Sequence, residues 1–153
     1  MAFEEMNFND ESYRASSNVS TLTWTGNPPV YASGGIQQYT VVTFDTATGF
    51  AGDVKAASVT TVMPLGVAQD GPSVGPGQSV RIRTDGISKI IAGGVVNYGD
   101  LVMVNASGQV VTAIATAATN FFTIGQCVST TTAQAGDVVS VRLRIGSTQY
   151  VNA

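Results

Sequence analysis

Polar and apolar positions alternate most cleanly over Ser79–Arg83, where Val80 and Ile82 face one way and Arg81 and Arg83 the other. A second run follows the same rule, with Val139, Val141, Leu143 and Ile145 on one face and Ser140, Arg142 and Arg144 on the opposite one. Strands that are apolar on one side only fit antiparallel sheets with a single face on a core. From Val30 onward the chain continues in this manner. Short runs rich in Val, Ile, Thr, Tyr and Phe are cut by turn signals at Asp85-Gly86, Gly93-Gly94, Tyr98-Gly99-Asp100 and Ser107-Gly108. Earlier, Thr21 to Thr25 alternates and would put Leu22 and Trp24 on one face of a short strand. Helical signal is weak. Residues 111–119 carry alanine but also threonine and no charged face, and both this stretch and residues 54–58 read as strand running into loop.

The strand signals recur at a fixed spacing. Leu65-Gly66-Val67-Ala68 followed by Gly77-Gln78-Ser79-Val80 has its counterpart in Ile124-Gly125-Gln126-Cys127 followed by Gly136-Asp137-Val138-Val139. Gly66 to Gly125 and Gly77 to Gly136 span the same number of positions. Upstream, Tyr31-Ala32-Ser33-Gly34-Gly35-Ile36 aligns with Ile91-Ala92-Gly93-Gly94-Val95-Val96, and Val41-Val42-Thr43-Phe44 with Leu101-Val102-Met103-Val104. One position is lost in the following turn, the kind of change a surface loop tolerates. The pattern predicts an all-β fold: a compact antiparallel barrel- or sandwich-like core built from two similar units of roughly 60 residues. The units are 30–88 and 90–148 of a β domain over 30–153.

Residues 1–29 differ. They are polar, with isolated Phe3, Phe8, Tyr13 and Trp24, and they close on Asn27-Pro28-Pro29, which favours an extended path. They read as an extended N-terminal arm that could reach on the order of 90 Å if fully stretched. Scattered aromatics on such an arm suit pockets on a neighbour, so Phe3, Phe8 and Trp24 are candidate interface residues.

Charge sharpens this division. The net charge of −3 lies in the arm, where Glu4, Glu5, Asp10 and Glu11 face a single Arg14; the remainder is balanced. Only 11% of residues are charged, against a usual level of about 25%. A surface so poor in charge suits a protein that works inside an assembly. No basic patch fits a nucleic-acid backbone. No apolar run nears the ~20 residues of a membrane-spanning helix, and Met1 to Met6 lack the apolar core of a secretory signal. Synthesis in a cytoplasm is the expectation.

Candidate chemistry is sparse. With no histidine and one cysteine, Cys127, a Cys/His zinc site and an intrachain disulfide are both excluded. Cys127 stands where the first unit has Ala68 and reads as a small buried residue. Ser88 and Lys89 are adjacent, so on a strand they point to opposite faces and cannot pair for catalysis. The aspartates outside the arm stand mostly beside glycines, as turn residues do. Gly71 to Gly77 is glycine-rich but lacks the Lys-Ser/Thr end of a phosphate loop and reads as a solvent-facing loop. No catalytic residue, metal or cofactor is expected. The notable polar feature is the pairing Arg81/Arg83 and Arg142/Arg144 on outward strand faces, where planar guanidinium groups suit carboxylates at an interface, those of the acidic arm among them.

Gly93 to Val104, with its Gly-Gly-apolar step and Tyr-Gly-Asp-Leu-Val, then Ile124 to Cys127, then Ala135 to Val141, resemble the decoration or cement proteins of tailed-phage heads. The first unit, from Gly34 to Ile82, carries the same outline in weaker form. The resemblance implies an all-β structural protein on the outer surface of an icosahedral phage capsid. It further implies a homotrimer that clamps neighbouring subunits of the major capsid protein, with no enzymatic activity. The other readings of the residues are a tail or spike component and a small carbohydrate-binding module; an enzyme fits least.

Overall fold

The computed structural model describes residues 10–15, 35–46, 53–75, 77–114, 121–144 and 148–149, none of which is helical. The first seven strands are β1 (Asp10–Ala15), β2 (Ile36–Gln37), β3 (Val41–Phe44), β4 (Asp53–Ala56), β5 (Gly66–Ala68), β6 (Ser73–Val74) and β7 (Ser79–Arg83). Then follow β8 (Gly86–Ile91), β9 (Leu101–Val104), β10 (Val110–Thr112), β11 (Phe121–Phe122), β12 (Gly125–Cys127), β13 (Val138–Leu143) and β14 (Thr148–Gln149).

The alternation in β7 is realised as read: Val80 and Ile82 are buried, while Ser79 and Arg81 are exposed. β13 behaves likewise, burying Val139, Val141 and Leu143. Strands β1-β4-β3-β5-β7 form a closed barrel, because β1 pairs antiparallel with β7 and parallel with β4. The second sheet has the order β10-β9-β12-β13-β8. It curls until its edges meet through one parallel bridge, between Ala92 just after β8 and Val110 of β10. Its succession of neighbours parallels the β4-β3-β5-β7-β1 path of the barrel.

Two apolar clusters form among the described residues. Ile36, Val42, Val54, Ala68, Val74, Val80 and Ile82 pack together on the first sheet. The larger cluster, which includes Ile90, Val102, Val110, Val139 and Val141 of the second sheet and Ile124 just before β12, also takes in Val41 and Val67 from the first sheet and Ala57 just after β4. Consecutive residues of β3, Val42 and Val41, therefore serve different clusters. That is the expected result when both faces of a strand with a period of two are covered. Backbone bonds join the halves as well: Tyr39 O accepts from Ile91 N–H at 3.0 Å and Gly108 O from Val41 N–H at 2.8 Å.

Two sequence expectations change. The loop from Gly71 to Gly77 is not wholly solvent-facing, because β6 pairs with β2 and buries Val74 in the first cluster. Within the arm, residues 10–15 are a strand of the barrel, in register from Asp10 opposite Arg83 to Arg14 opposite Ser79. Phe3, Phe8, Trp24 and the run from Thr21 to Thr25 lie outside the described residues. Cys127 and Ala68 are both fully buried, as small core residues should be.

Candidate functional site

Turn chemistry accounts for much of the polar inventory. Asp100 Oδ2 accepts from Asn97 N–H at 2.9 Å, and Asp137 Oδ2 accepts from Gln134 N–H at 2.8 Å. Gln78 Oε1 performs the same task for Gly75 N–H at 2.9 Å. Each side chain thus bonds the backbone three residues back, across a turn whose third residue has positive φ: Gly99 at 86°, Gly136 at 92° and Gly77 at 77°. In the related turn of residues 37–40 that place is held by Tyr39, at φ 64°. Asp85 Oδ1 accepts from Gly86 N–H at 2.8 Å in another turn. Asp45 and Asp53 depart from this pattern. Both are buried beside the β3–β4 connection, and Asp45 Oδ1 lies 3.4 Å from Lys55 Nζ.

Nothing in this inventory is built to move protons or attack a substrate. Ser88 is 1% exposed, and its hydroxyl accepts from Gln69 Nε2 at 3.0 Å, so it is a buried tie between the sheets, turned away from exposed Lys89. A groove of about 640 Å³ runs between β2, β4 and the β9–β10 turn, lined by residues such as Gln37, Thr40, Ser58 and Ser107 with no titratable side chain among them. Among the described residues no three His, Cys, Asp or Glu side chains gather as metal ligands.

The four arginines do not form two matching pairs. Arg81 turns to Asp70, which receives its Nε at 2.8 Å and its backbone N–H at 2.7 Å. Arg83 Nη1 donates to the Ile87 carbonyl at 2.9 Å, bracing the β7–β8 turn. Arg142 stands exposed on β13 with Gln126 on one side and Ile87 on the other in the ladder. Arg144 falls just beyond β13, exposed. Register explains the mismatch. Val67 pairs with Arg83 in the first sheet as Gln126 pairs with Arg142 in the second, so Arg81 corresponds to Ser140, not to an arginine. The fold thereby places Arg83 and Arg142 about Ile87, with exposed Lys89 on the same strand, in one mixed basic and apolar patch.

Several exposed apolar side chains went unread in the sequence. Phe44, Val59, Val62, Met63, Leu101 and Ile114 stand between 38% and 63% exposed. Their signal was available: no charged residue occurs from Ala56 to Gln69 or from Leu101 to Gly136. The ladder sets Leu101 in the row of the basic patch, since Gln126 pairs with Leu101 on one side and with Arg142 on the other.

Comparison with known proteins agrees with a body made for contact. No curated protein matches the chain. Among solved structures, the head fiber gp8.5 N base of bacteriophage phi29 is similar, with a TM-score of 0.58 and 17% identity over 88% of this chain and 92% of that one. At such identity the likeness speaks to fold. A family model described as phage cement protein matches residues 21–145, nearly the whole body of paired sheets. The chain belongs to the phage cement protein family and is a virion-associated structural protein of a phage.

Proposed function

We propose that the protein decorates the exterior of an icosahedral phage head and stabilises it by bridging neighbouring major capsid subunits, acting as a homotrimer. Family membership carries this reading. The likeness to a head fiber base favours the head over a tail or spike. A carbohydrate-binding module would present several stacking aromatics on one strand face, whereas the exposed apolar side chains on the described strands are the aliphatic Ile87, Leu101 and Val138, with Phe44 a single exposed aromatic among them. The fold suits the task, since a braced body with exposed apolar patches can hold several partners at once. Many modest contacts repeated by symmetry then combine through avidity.

Within this reading the two sheets, alike in strand order, are copies of one unit. Residues 1–29 outside β1, with Phe3, Phe8 and Trp24, extend the protein's reach to its neighbours, and Arg83, Arg142 and Arg144 supply cationic contacts. Arg81, engaged with Asp70, contributes through that pair. The test is cosedimentation of the purified protein with heads of its own phage lacking it, followed by heating. Bound protein and a higher temperature of genome release are expected. Heads that pellet without the protein would remove the proposal.

A further inference from the structure

We propose that the outer face of the second sheet is a docking surface for an acidic protein partner, whose carboxylates are taken by Arg142 and Lys89. The ladder fixes the surface. Gln126 stands opposite Leu101 on one side and Arg142 on the other, and Arg142 stands opposite Ile87. Lys89 lies two residues beyond Ile87 on β8, so it shares their face and is a diagonal neighbour of Arg142. Val138, four residues before Arg142 on β13, faces the same way. All six of these side chains are exposed. Gln126 is held in place, because its Nε2 donates to Gly99 O at 3.0 Å. The sheet thus holds two cations among three exposed aliphatic side chains, Ile87, Leu101 and Val138.

The way charge is matched decides the partner. In the first sheet cations meet acids of the same chain. Arg81 Nε lies 2.8 Å from Asp70 Oδ1, Lys55 Nζ lies 3.4 Å from Asp45 Oδ1, and Arg83 stands opposite Asp10 in the ladder. Among the described residues neither Lys89 nor Arg142 has an ion-pair partner. The carboxylates nearest in sequence are turned to local bonds: Asp85 to Gly86 N–H, Asp100 to Asn97 N–H and the Thr112 hydroxyl, and Asp137 to Gln134 N–H. Two like charges on neighbouring strands repel, a cost that a carboxylate set between them reverses. The Arg142 fork can give one carboxylate two parallel hydrogen bonds. A nucleic-acid backbone is not the ligand, since two cations on a chain of net charge −3 would not hold a polyanion. Ile87, Leu101 and Val138 call for apolar cover, which a protein surface supplies, and by excluding water they strengthen the ionic contacts. This inference rests on the reading of the protein as bound to the head, and it names the face and the chemistry that meet the shell.

The chain has two lysines, Lys55 and Lys89, which suits it to carbodiimide cross-linking on purified heads, since that reagent joins an amine to a carboxylate in contact. Lys55 is expected to join Asp45 both on heads and in the free protein. Lys89 is expected to join an aspartate or glutamate of a different protein, on heads only. In cosedimentation with heads lacking the protein, Lys89→Gln and Arg142→Gln are each expected to weaken binding about tenfold, and wild-type binding to weaken with salt. Ser107→Glu, exposed in the β9–β10 turn, makes the same change in net charge and is expected to bind as the wild type does. Each variant is first checked for an unchanged melting temperature. A Lys89 as reactive on heads as in solution overturns the inference and leaves the cement role standing, as do Gln variants that bind like Ser107→Glu. Lys89 joined to a carboxylate of this chain, such as Glu4 or Glu5, also overturns it and assigns the face to the acidic arm. Heads that carry none of the chain would strike the cement role, and the inference with it.

Discussion

Two pairs of glycines serve different physical ends, and substitution separates them. Gly125 is pressed against the next strand: a Cβ there would meet the Arg142 carbonyl oxygen, as one on Gly66 would meet that of Arg83. Backbone cannot give way as a side-chain tip can, so Gly125→Ala must part β12 from β13 and is expected to cost about 3 kcal/mol, as overpacking does. Gly136 has open space around it but a φ of 92°, so Gly136→Ala carries a conformational penalty alone, about 1 kcal/mol. Urea titration of the two variants gives the order directly; equal midpoints would mean that β13 yields to the added methyl without cost. The spacing of these glycines was legible in the sequence, but their separate reasons were not. One residue type answers both to a close approach and to a left-handed turn, and the two leave the same mark in a sequence.

Among the elements, β7 and β13 could be read from sequence because a half-buried strand records its environment as alternation. β1 could not. Asp-Glu-Ser-Tyr-Arg-Ala has no apolar face to announce it, and its place is fixed by backbone pairing with β7 and β4. β6 was hidden for a similar reason, lying in a Gly/Pro segment where turn signals outweigh one buried Val74. The arginine pairs belong to corresponding strands but are offset from one another, since the ladder sets Arg83 at the rung of Arg142. β1 also lies upstream of the residues matched by the family, so its weight in the fold is worth measuring. Deleting residues 1–15 opens the barrel and leaves β4 and β7 with free edges, which pair readily with other chains. With several backbone bonds lost at about 1 kcal/mol each, the melting temperature is expected to fall by roughly 10 °C. Light scattering should show self-association of the truncated protein. A truncated chain that melts with the full-length one, without scattering, would make β1 dispensable.

For the molecule as a whole, the shared cluster decides how the two sheets respond to force or heat. Val41, Ala57 and Val67 belong by chain position to the first sheet, yet they pack with Ile90, Val102 and Val141 of the second. Neither half can be opened without stripping apolar surface from the other. Two independently stable units would melt separately, but units that share a core unfold as one. At fixed protein concentration, calorimetry should therefore show one transition with equal calorimetric and van't Hoff enthalpies. Val67, fully buried at the junction, gives the sharper test. Its truncation to alanine removes about two buried carbons and leaves a cavity, an expected loss of about 2 kcal/mol, or roughly 4–8 °C in melting temperature. That loss should move the single transition downward intact. A shoulder appearing in the Val67→Ala protein, or two peaks in the wild type, would show that the sheets are mechanically separate. The proposed bridging of capsid subunits needs load to pass between contact faces without the halves parting first, so a single transition is the behaviour that proposal requires.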